Sequence, residues 1–189
     1  MNQVILIHGA PEEEEFKGDT WPSPSNGHWI PWIQKKLSQK EVLSQAPEMP
    51  KPYDPIYEDW VRVFKQFDVS SQTILVGWSC GGGFLLRYFS EHPEVTPKRV
   101  ILIAPWLDPE PRELSTNFFD FEIDSTLSIR IDLHIFMSSD DFEGCLKSFK
   151  IIEEKLPSAI YHRFSNKGHF TEPDLGTKAF PELLEEILK

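Results

Sequence analysis

Residues 73–88 read TILVGWSCGGGFLLRY, and this stretch decides the fold. Its apolar run stops at the pattern Gly77-x-Ser79-x-Gly81 and continues into a segment that favours helix. We interpret it as a strand, a sharp turn and a helix. In such a turn the serine takes a strained backbone conformation, and the two glycines let strand and helix pass without a Cβ clash. The stretch therefore predicts Ser79, a candidate nucleophile, at the carboxyl end of a buried strand.

Strand-sized apolar runs alternate with helical patterns on both sides of this stretch. Strands are predicted at 4–7, 73–76, 99–106, 131–138 and 159–165, with a short edge strand within 42–52. Helices are predicted near 29–37, from the Asp54-Pro55 start to 67, at 80–92, 146–156 and 180–188. Such alternation implies right-handed βαβ units. We therefore expect an α/β fold in three layers: a mostly parallel, doubly wound sheet of about six strands with helices on both faces.

The length of 189 residues fits one domain, 1–189, without a large cap domain. The loop after the first strand carries Pro11 and the run Glu12 to Glu15, so it is expected to be irregular and solvated. The pattern lapses again between about 107 and 130, where prolines and an aromatic cluster occur. We interpret this segment as a crossover that lies over the functional site.

Charge and composition exclude several functions. The net charge of −11 argues against binding to a nucleic acid backbone. No apolar run approaches the ~20 residues of a membrane span, which favours a cytoplasmic protein without a membrane partner. Cys80 and Cys145 are too few for a disulfide framework, and no Cys/His spacing resembles a zinc site. We therefore expect no metal or cofactor, and an oligomeric state no higher than a monomer or weak dimer.

In an open parallel sheet, ligands bind beyond the carboxyl ends of the strands. The polar residues predicted there are His8, Ser79, Asp108, Asp140, Asp141 and His169. A serine hydroxyl needs an imidazole to take its proton and a carboxylate to orient that imidazole. Three histidines are expected near this edge, His8, His28 and His169. The best candidate for the base is His169, because its glycine-containing loop follows the last strand. Asp141 is favoured as the acid, followed by Asp140.

The tetrahedral intermediate of such a reaction needs backbone N–H donors. The turn offers the amide of Cys80. The loop after the first strand offers that of Ala10, because Pro11 has no N–H. Candidate pocket walls, which would favour an apolar acyl or alkyl group, are His8, Trp21, Trp106, Phe118 and Phe119.

Four motifs follow one another along the chain in this order: strand-His-Gly, Gly-Trp-Ser-Cys-Gly, Ser-Ser-Asp-Asp and Lys-Gly-His-Phe. With them the chain resembles the α/β-hydrolase superfamily, and more narrowly the small cap-less serine hydrolases related to retinoblastoma-binding protein 9 and bacterial YdeN. The resemblance implies a triad of Ser79, Asp141 and His169 that cleaves carboxylic esters. The family's glycine-rich first loop is replaced here by Ala10-Pro11 and glutamates.

Two hypotheses follow. The first is a serine hydrolase that acts on a small-molecule ester, or on an amide or thioester, through an acyl-enzyme; transfer of the acyl group to an acceptor other than water stays open. The alternative is a catalytically weak or inactive hydrolase-fold protein that works as a protein-interaction module. In that case the acidic loop or the aromatic residues 118–121 would dock a partner.

Overall fold

A computed structural model of the protein describes residues 3–110 and 112–189. The strands are β1 (Gln3–Ile7), β2 (Leu43–Gln45), β3 (Thr73–Trp78), β4 (Arg99–Ile103), β5 (Leu133–Ser138) and β6 (Ile160–Phe164). They form one sheet in the order β2-β1-β3-β4-β5-β6, and every neighbouring pair is parallel. This confirms the predicted parallel sheet of six strands.

The helices alternate with these strands along the chain. They are α1 (Glu13–Lys17), α2 (Ile30–Ser38), α3 (Tyr57–Phe64), α4 (Cys80–Glu91), α5 (Leu127–Arg130), α6 (Glu143–Lys155), α7 (Glu172–Leu175) and α8 (Pro181–Leu188). Every residue of β3 is buried, so side chains on both faces of the central sheet are covered. Among the described residues, no helix has the length and apolar character needed to cross a membrane.

Two helix starts differ from the sequence prediction. Helix α3 begins at Tyr57 instead of Pro55, because Ile56 is extended and the Asp54 carboxylate accepts a hydrogen bond from the Ser115 hydroxyl instead of capping the helix. The loop after β1 is not wholly irregular, since residues 13–17 form α1. Acidic side chains in a first turn complement the helix dipole, which explains why the glutamate run favours this helix.

The crossover of residues 107–130, apart from residue 111, which lies outside the described residues, packs against the helices. Phe118 is fully buried, and its ring centroid lies 5.0 Å from that of Trp60 and 6.2 Å from that of Phe84. The Arg87 guanidinium donates to the backbone carbonyls of Asn117 and Phe118, at 2.8 Å each. Aromatic burial and these hydrogen bonds therefore hold the crossover against α3 and α4.

Candidate active site

The turn between β3 and α4 has the tight geometry that its glycines require. Ser79 has φ 54° and ψ −119°, a strained conformation for a residue with a side chain. A Cβ on Gly77 would lie 2.5 Å from the Gly81 carbonyl oxygen. A Cβ on Gly81 would lie 2.5 Å from the carbonyl oxygens of both Ile7 and His8. Both positions therefore require glycine, and the serine is held at the junction of strand and helix.

Ser79, His169 and Asp141 form a continuous hydrogen-bonded chain. His169 Nε2 lies 2.8 Å from Ser79 Oγ, and His169 Nδ1 lies 2.9 Å from Asp141 Oδ1. The Asp141 side chain is fully buried, and its Oδ1 also accepts the Phe142 amide at 2.8 Å. A carboxylate accepts only, so Nδ1 carries the proton and Nε2 is free to accept the serine proton. Each residue follows a different strand: β3, β5 and β6.

Two carboxylates beside this hydrogen-bonded chain, those of Asp140 and Asp174, hold the loop that carries His169. Asp140 accepts hydrogen bonds from the Ser138 hydroxyl and, at 3.2 Å, from the Gly168 amide. Asp174 Oδ2 accepts from the His169 amide at 2.9 Å and from the Thr171 hydroxyl. The structure thus brings Asp141, and not Asp140, to the imidazole.

Asp108, the remaining carboxylate at this edge, is committed elsewhere. It is buried, and its two oxygens accept the amides of Glu113 and Leu114 at 2.6 and 3.0 Å. These hydrogen bonds hold the start of the crossover in place, so the Asp108 carboxylate has a structural role.

The loop after β1 lies directly against the serine. A Cβ on Gly9 would approach Ser79 Cβ to 3.0 Å, so the backbone that leads into Ala10 passes beside the hydroxyl group. Within residues 3–110 and 112–189, neither the Ala10 amide nor the Cys80 amide donates a hydrogen bond to a protein acceptor. Both N–H groups are therefore available to an external oxygen.

A cleft of about 730 Å³ opens over Ser79 and His169. Its walls come from the loop between β1 and α2 and from the segment between His169 and Lys178. Apolar side chains in the lining are those of Pro11, Phe16, Trp21, Pro22, Pro24, Trp78 and Pro173; polar and charged ones are those of Glu15, Asn26, His28, Thr171, Glu172 and Lys178. The combination suits a largely apolar ligand that carries a few polar groups.

Four of the predicted pocket residues do not reach this cleft. His8 is fully buried, and its Nε2 accepts a hydrogen bond from the Met49 amide at 2.9 Å. Trp106, Phe118 and Phe119 are buried beside α4, where a Cβ on Gly83 would collide with the Trp106 carbonyl and the Phe119 ring. None of the described residues from 107 to 130 lines the cleft. These four residues and the described part of the crossover therefore do not line this cleft.

His28, which the sequence places near the active edge without a role, also lines the cleft. It lies in the cleft with φ 51°, and its ring packs edge-on against Trp78 with centroids 4.8 Å apart. Its Nδ1 accepts the Glu172 amide at 3.0 Å, which places the ring proton on Nε2. Burial lowers the pKa of His28, so the ring is neutral at pH 7.

Two thiols lie close to the hydrogen-bonded chain without competing with the serine. Cys145 Sγ is 3.6 Å from His169 Nδ1, and Cys80 directly follows Ser79. Both cysteines are free and buried, and burial raises the pKa of each thiol well above its ordinary value. Neither forms the thiolate that nucleophilic attack requires.

Comparison with known proteins places the chain. A family model described as serine hydrolase matches residues 19–187. Among curated proteins, none matches the sequence. The solved structure of the ydeN gene product from B. subtilis is 23% identical with a TM-score of 0.81, and the match covers 100% of this chain and 97% of that one.

Two further structures share the fold. A putative YdeN-like hydrolase from Pectobacterium atrosepticum is 14% identical, with 98% and 89% of the two chains covered and a TM-score of 0.66. Est1E from Butyrivibrio proteoclasticus, solved with ferulic acid, is 15% identical, with 100% and 90% covered and a TM-score of 0.62. These likenesses show the fold, and the family match extends over most of the chain. The chain therefore belongs to the serine hydrolase family and has the α/β-hydrolase fold that its motifs predicted.

Proposed function

We propose that the protein hydrolyses small carboxylic esters through an acyl-enzyme on Ser79. The supporting observation is the uninterrupted hydrogen-bonded chain from Ser79 Oγ through His169 to the buried Asp141 carboxylate. The hydroxyl attacks the ester carbonyl while His169 Nε2 takes its proton, and Asp141 stabilises the resulting imidazolium. The amides of Ala10 and Cys80 donate hydrogen bonds to the oxyanion and stabilise its negative charge.

The remaining steps of the cycle use the same groups. His169 gives its proton to the leaving alkoxide, the carbon–oxygen bond of the ester breaks, and the acyl group stays on Ser79. A water molecule then attacks the acyl-enzyme while His169 takes one of its protons. The proton returns to the serine oxygen as the carboxylic acid leaves. Atoms and charge balance with ester and water as the only reactants.

The cleft supports an apolar or aromatic acyl group. Trp21 is 60% exposed, an unusual position for a tryptophan, and it lies in the cleft lining with Phe16 and three prolines of the same loop. Est1E, which shares the fold, was solved with ferulic acid, an aromatic acid. Glu15 and Glu172 also line the cleft, and together with the net charge of −11 they disfavour anionic esters.

His28 is assigned a role in positioning substrate. Its neutral ring presents an Nε2–H in a cleft that also contains Ser79 and His169, while the Glu172 amide fixes the other nitrogen. A neutral imidazole can donate a hydrogen bond to an ester oxygen without placing a full charge in the apolar cleft. We assign this donor to an oxygen of the bound ester.

The interaction hypothesis keeps the exposed acidic loop at residues 12–14 as a docking surface, but it loses most of its aromatic one. The aromatic residues that were to contact a partner, Phe118 and Phe119, are 0% and 8% exposed. A buried side chain cannot dock a partner without local unfolding. Ester hydrolysis is therefore the function that the site supports best.

Turnover of a matched series of p-nitrophenyl esters tests both the reaction and the acyl preference. We expect a larger kcat/KM for aromatic and medium-chain acyl esters than for acetate, and loss of all turnover in Ser79→Ala. Equal rates for acetate and aromatic esters would contradict the acyl preference. Turnover in Ser79→Ala within tenfold of wild type would contradict the reaction itself.

A further inference from the structure

A second cluster of histidine and carboxylate side chains lies at the opposite end of β5 from Asp141. His134 is near the start of β5, His162 is on the neighbouring strand β6, and Glu186 is on α8. The His134 and Glu186 side chains are 6% and 4% exposed, whereas that of His162 is 25% exposed. The cluster is therefore buried on two sides and open to solvent through His162.

The three side chains turn ligand atoms toward one point. His134 Nδ1 lies 3.0 Å from His162 Nε2 and 3.2 Å from Glu186 Oε1, and His162 Nε2 lies 3.7 Å from Glu186 Oε2. Tetrahedral Zn²⁺ with bonds of about 2.0–2.1 Å separates its ligand atoms by about 3.3 Å. The two separations measured from His134 Nδ1 are close to that value, and one ligand atom from each of the three residues lies within 4.8 Å of the others.

Asp132 supplies the outer carboxylate that metal-binding histidines use. Its Oδ1 lies 3.0 Å from His134 Nε2, which places that ring proton on Nε2 and leaves the Nδ1 lone pair facing Glu186. Hydrogen bonding of this kind orients a ligating imidazole and raises its basicity. The Nδ1 lone pair accepts a hydrogen bond from the His162 Nε2–H at 3.0 Å, and a bound metal ion would take the place of that proton.

Two cationic side chains, those of Lys189 and Arg99, contact the Glu186 carboxylate, so a metal ion that binds this carboxylate would compete with them. Lys189 Nζ lies 3.0 Å from Oε2, but this lysine side chain is 55% exposed and can turn into water. Arg99 Nη1 lies 3.3 Å from Oε1 and 2.7 Å from the Glu186 carbonyl, and its Nε lies 2.6 Å from Asp132 Oδ2. Arg99 can therefore stay bound to Asp132 and the carbonyl while the metal displaces Lys189.

We propose that His134, His162 and Glu186 form a binding site for a divalent transition-metal ion of the Zn²⁺ type. Two imidazole nitrogens and one carboxylate oxygen are ligands that zinc accepts, and water completes the tetrahedron from the exposed side. The ion would tie β5, β6 and α8 together. The site is separate from the proposed catalytic chain, and its occupancy does not depend on ester hydrolysis.

Zinc titration of the untagged full chain by isothermal calorimetry, after treatment with a chelator, tests the site. We expect one Zn²⁺ per chain and an affinity that is weakened about tenfold or more in His162→Ala, whose side chain is partly exposed. The matched control is His92→Ala, which removes a histidine elsewhere. A second control, His169→Ala, disrupts the other cluster of possible ligands, Asp141, Cys145 and His169. Both controls should bind zinc as wild type does.

Two results would overturn the site: no zinc binding by the wild type, or equal affinity in wild type and His162→Ala. An equal loss in His92→Ala or in His169→Ala would also overturn it. If His162→Ala does not fold, Co²⁺ added to the wild type serves instead, and it should give the visible absorption of a tetrahedral complex. Absence of that absorption, or its persistence in Glu186→Gln, would contradict the proposal.

Discussion

His169 Nε2 lies 2.8 Å from Ser79 Oγ, so the proposed proton acceptor is in contact with the hydroxyl that it would activate. This contact depends on positions far from it in sequence. The Trp78 indole N–H donates to the His169 carbonyl at 2.9 Å, and Asp174 accepts the His169 amide. The base is therefore held from both sides of its own backbone, and little reorganisation precedes attack.

The two neighbouring aspartates should behave very differently. In Asp141→Asn we expect kcat to fall by about four orders of magnitude, because an amide cannot hold the required tautomer of His169. In Asp140→Asn the loss should be much smaller, because Asp140 contacts the loop backbone and not the imidazole. Steady-state kinetics on one ester compares them, with circular dichroism to check folding. A larger loss in Asp140→Asn than in Asp141→Asn would reverse the assignment.

Replacement of His28 tests the proposed substrate contact. We expect His28→Ala to reduce kcat/KM about tenfold, the effect of one hydrogen bond of about 1.4 kcal/mol. His28→Gln keeps an N–H donor and should recover part of the loss, whereas a purely packing role would give no such recovery. His92→Ala is the matched control and should leave kcat/KM unchanged. Wild-type kinetics in His28→Ala would refute the contact.

The turn glycines should be intolerant of even one methyl group. In Gly81→Ala the new Cβ would meet two carbonyl oxygens at 2.5 Å, so we expect the free energy of unfolding to fall by about 3 kcal/mol. Gly27→Ala is the control, because the nearest atom to its new Cβ, the Pro24 carbonyl oxygen, would be 3.4 Å away. Urea unfolding measures both. Equal free energies of unfolding for the two variants would contradict the tight packing of the turn at Gly81.

Buried histidines should make the fold sensitive to mild acid. Burial lowers the pKa of His8, His28 and His162 below the ordinary value of about 6.5. Between that value and their lowered pKa values, the unfolded chain binds protons that the folded chain does not. Stability should therefore fall as the pH drops from 7 to 5.

Urea unfolding at several pH values, with a chelator present, measures this slope. His28→Gln removes one of the three groups and should give a shallower slope than the wild type, while His92→Gln should leave it unchanged. A wild type that is equally stable at pH 7 and pH 5 would contradict the burial of neutral histidines.

Much of the site could be read from sequence because parallel strands bring their carboxyl ends to one edge. Residues in the loops after these strands, such as Ser79, Asp141 and His169, therefore lie at the same edge, and local hydrogen bonds decide which of them meet. The pocket walls could not be read this way. Whether an aromatic ring lines a cleft or joins the core depends on tertiary contacts, and Phe118 joined the core while Trp21 stayed exposed.

The two remaining proposals depend on residues from elements that are distant in sequence. His28 gains its role only when the Glu172 amide, 144 residues later, binds its Nδ1. The sequence was expected to contain no zinc site because no Cys/His spacing suggested one. The cluster of His134, His162 and Glu186 draws each ligand from a different element, and such a cluster leaves no local spacing to recognise.

The most direct test of the central claim is the intact mass of the protein after incubation with a fluorophosphonate probe. The probe reacts with serines that a neighbouring base has activated. We expect one adduct on the wild type and none on Ser79→Ala or His169→Ala, with all three folded by circular dichroism. A folded wild type that stays unlabelled, or a Ser79→Ala variant labelled to the same extent, would contradict an activated Ser79.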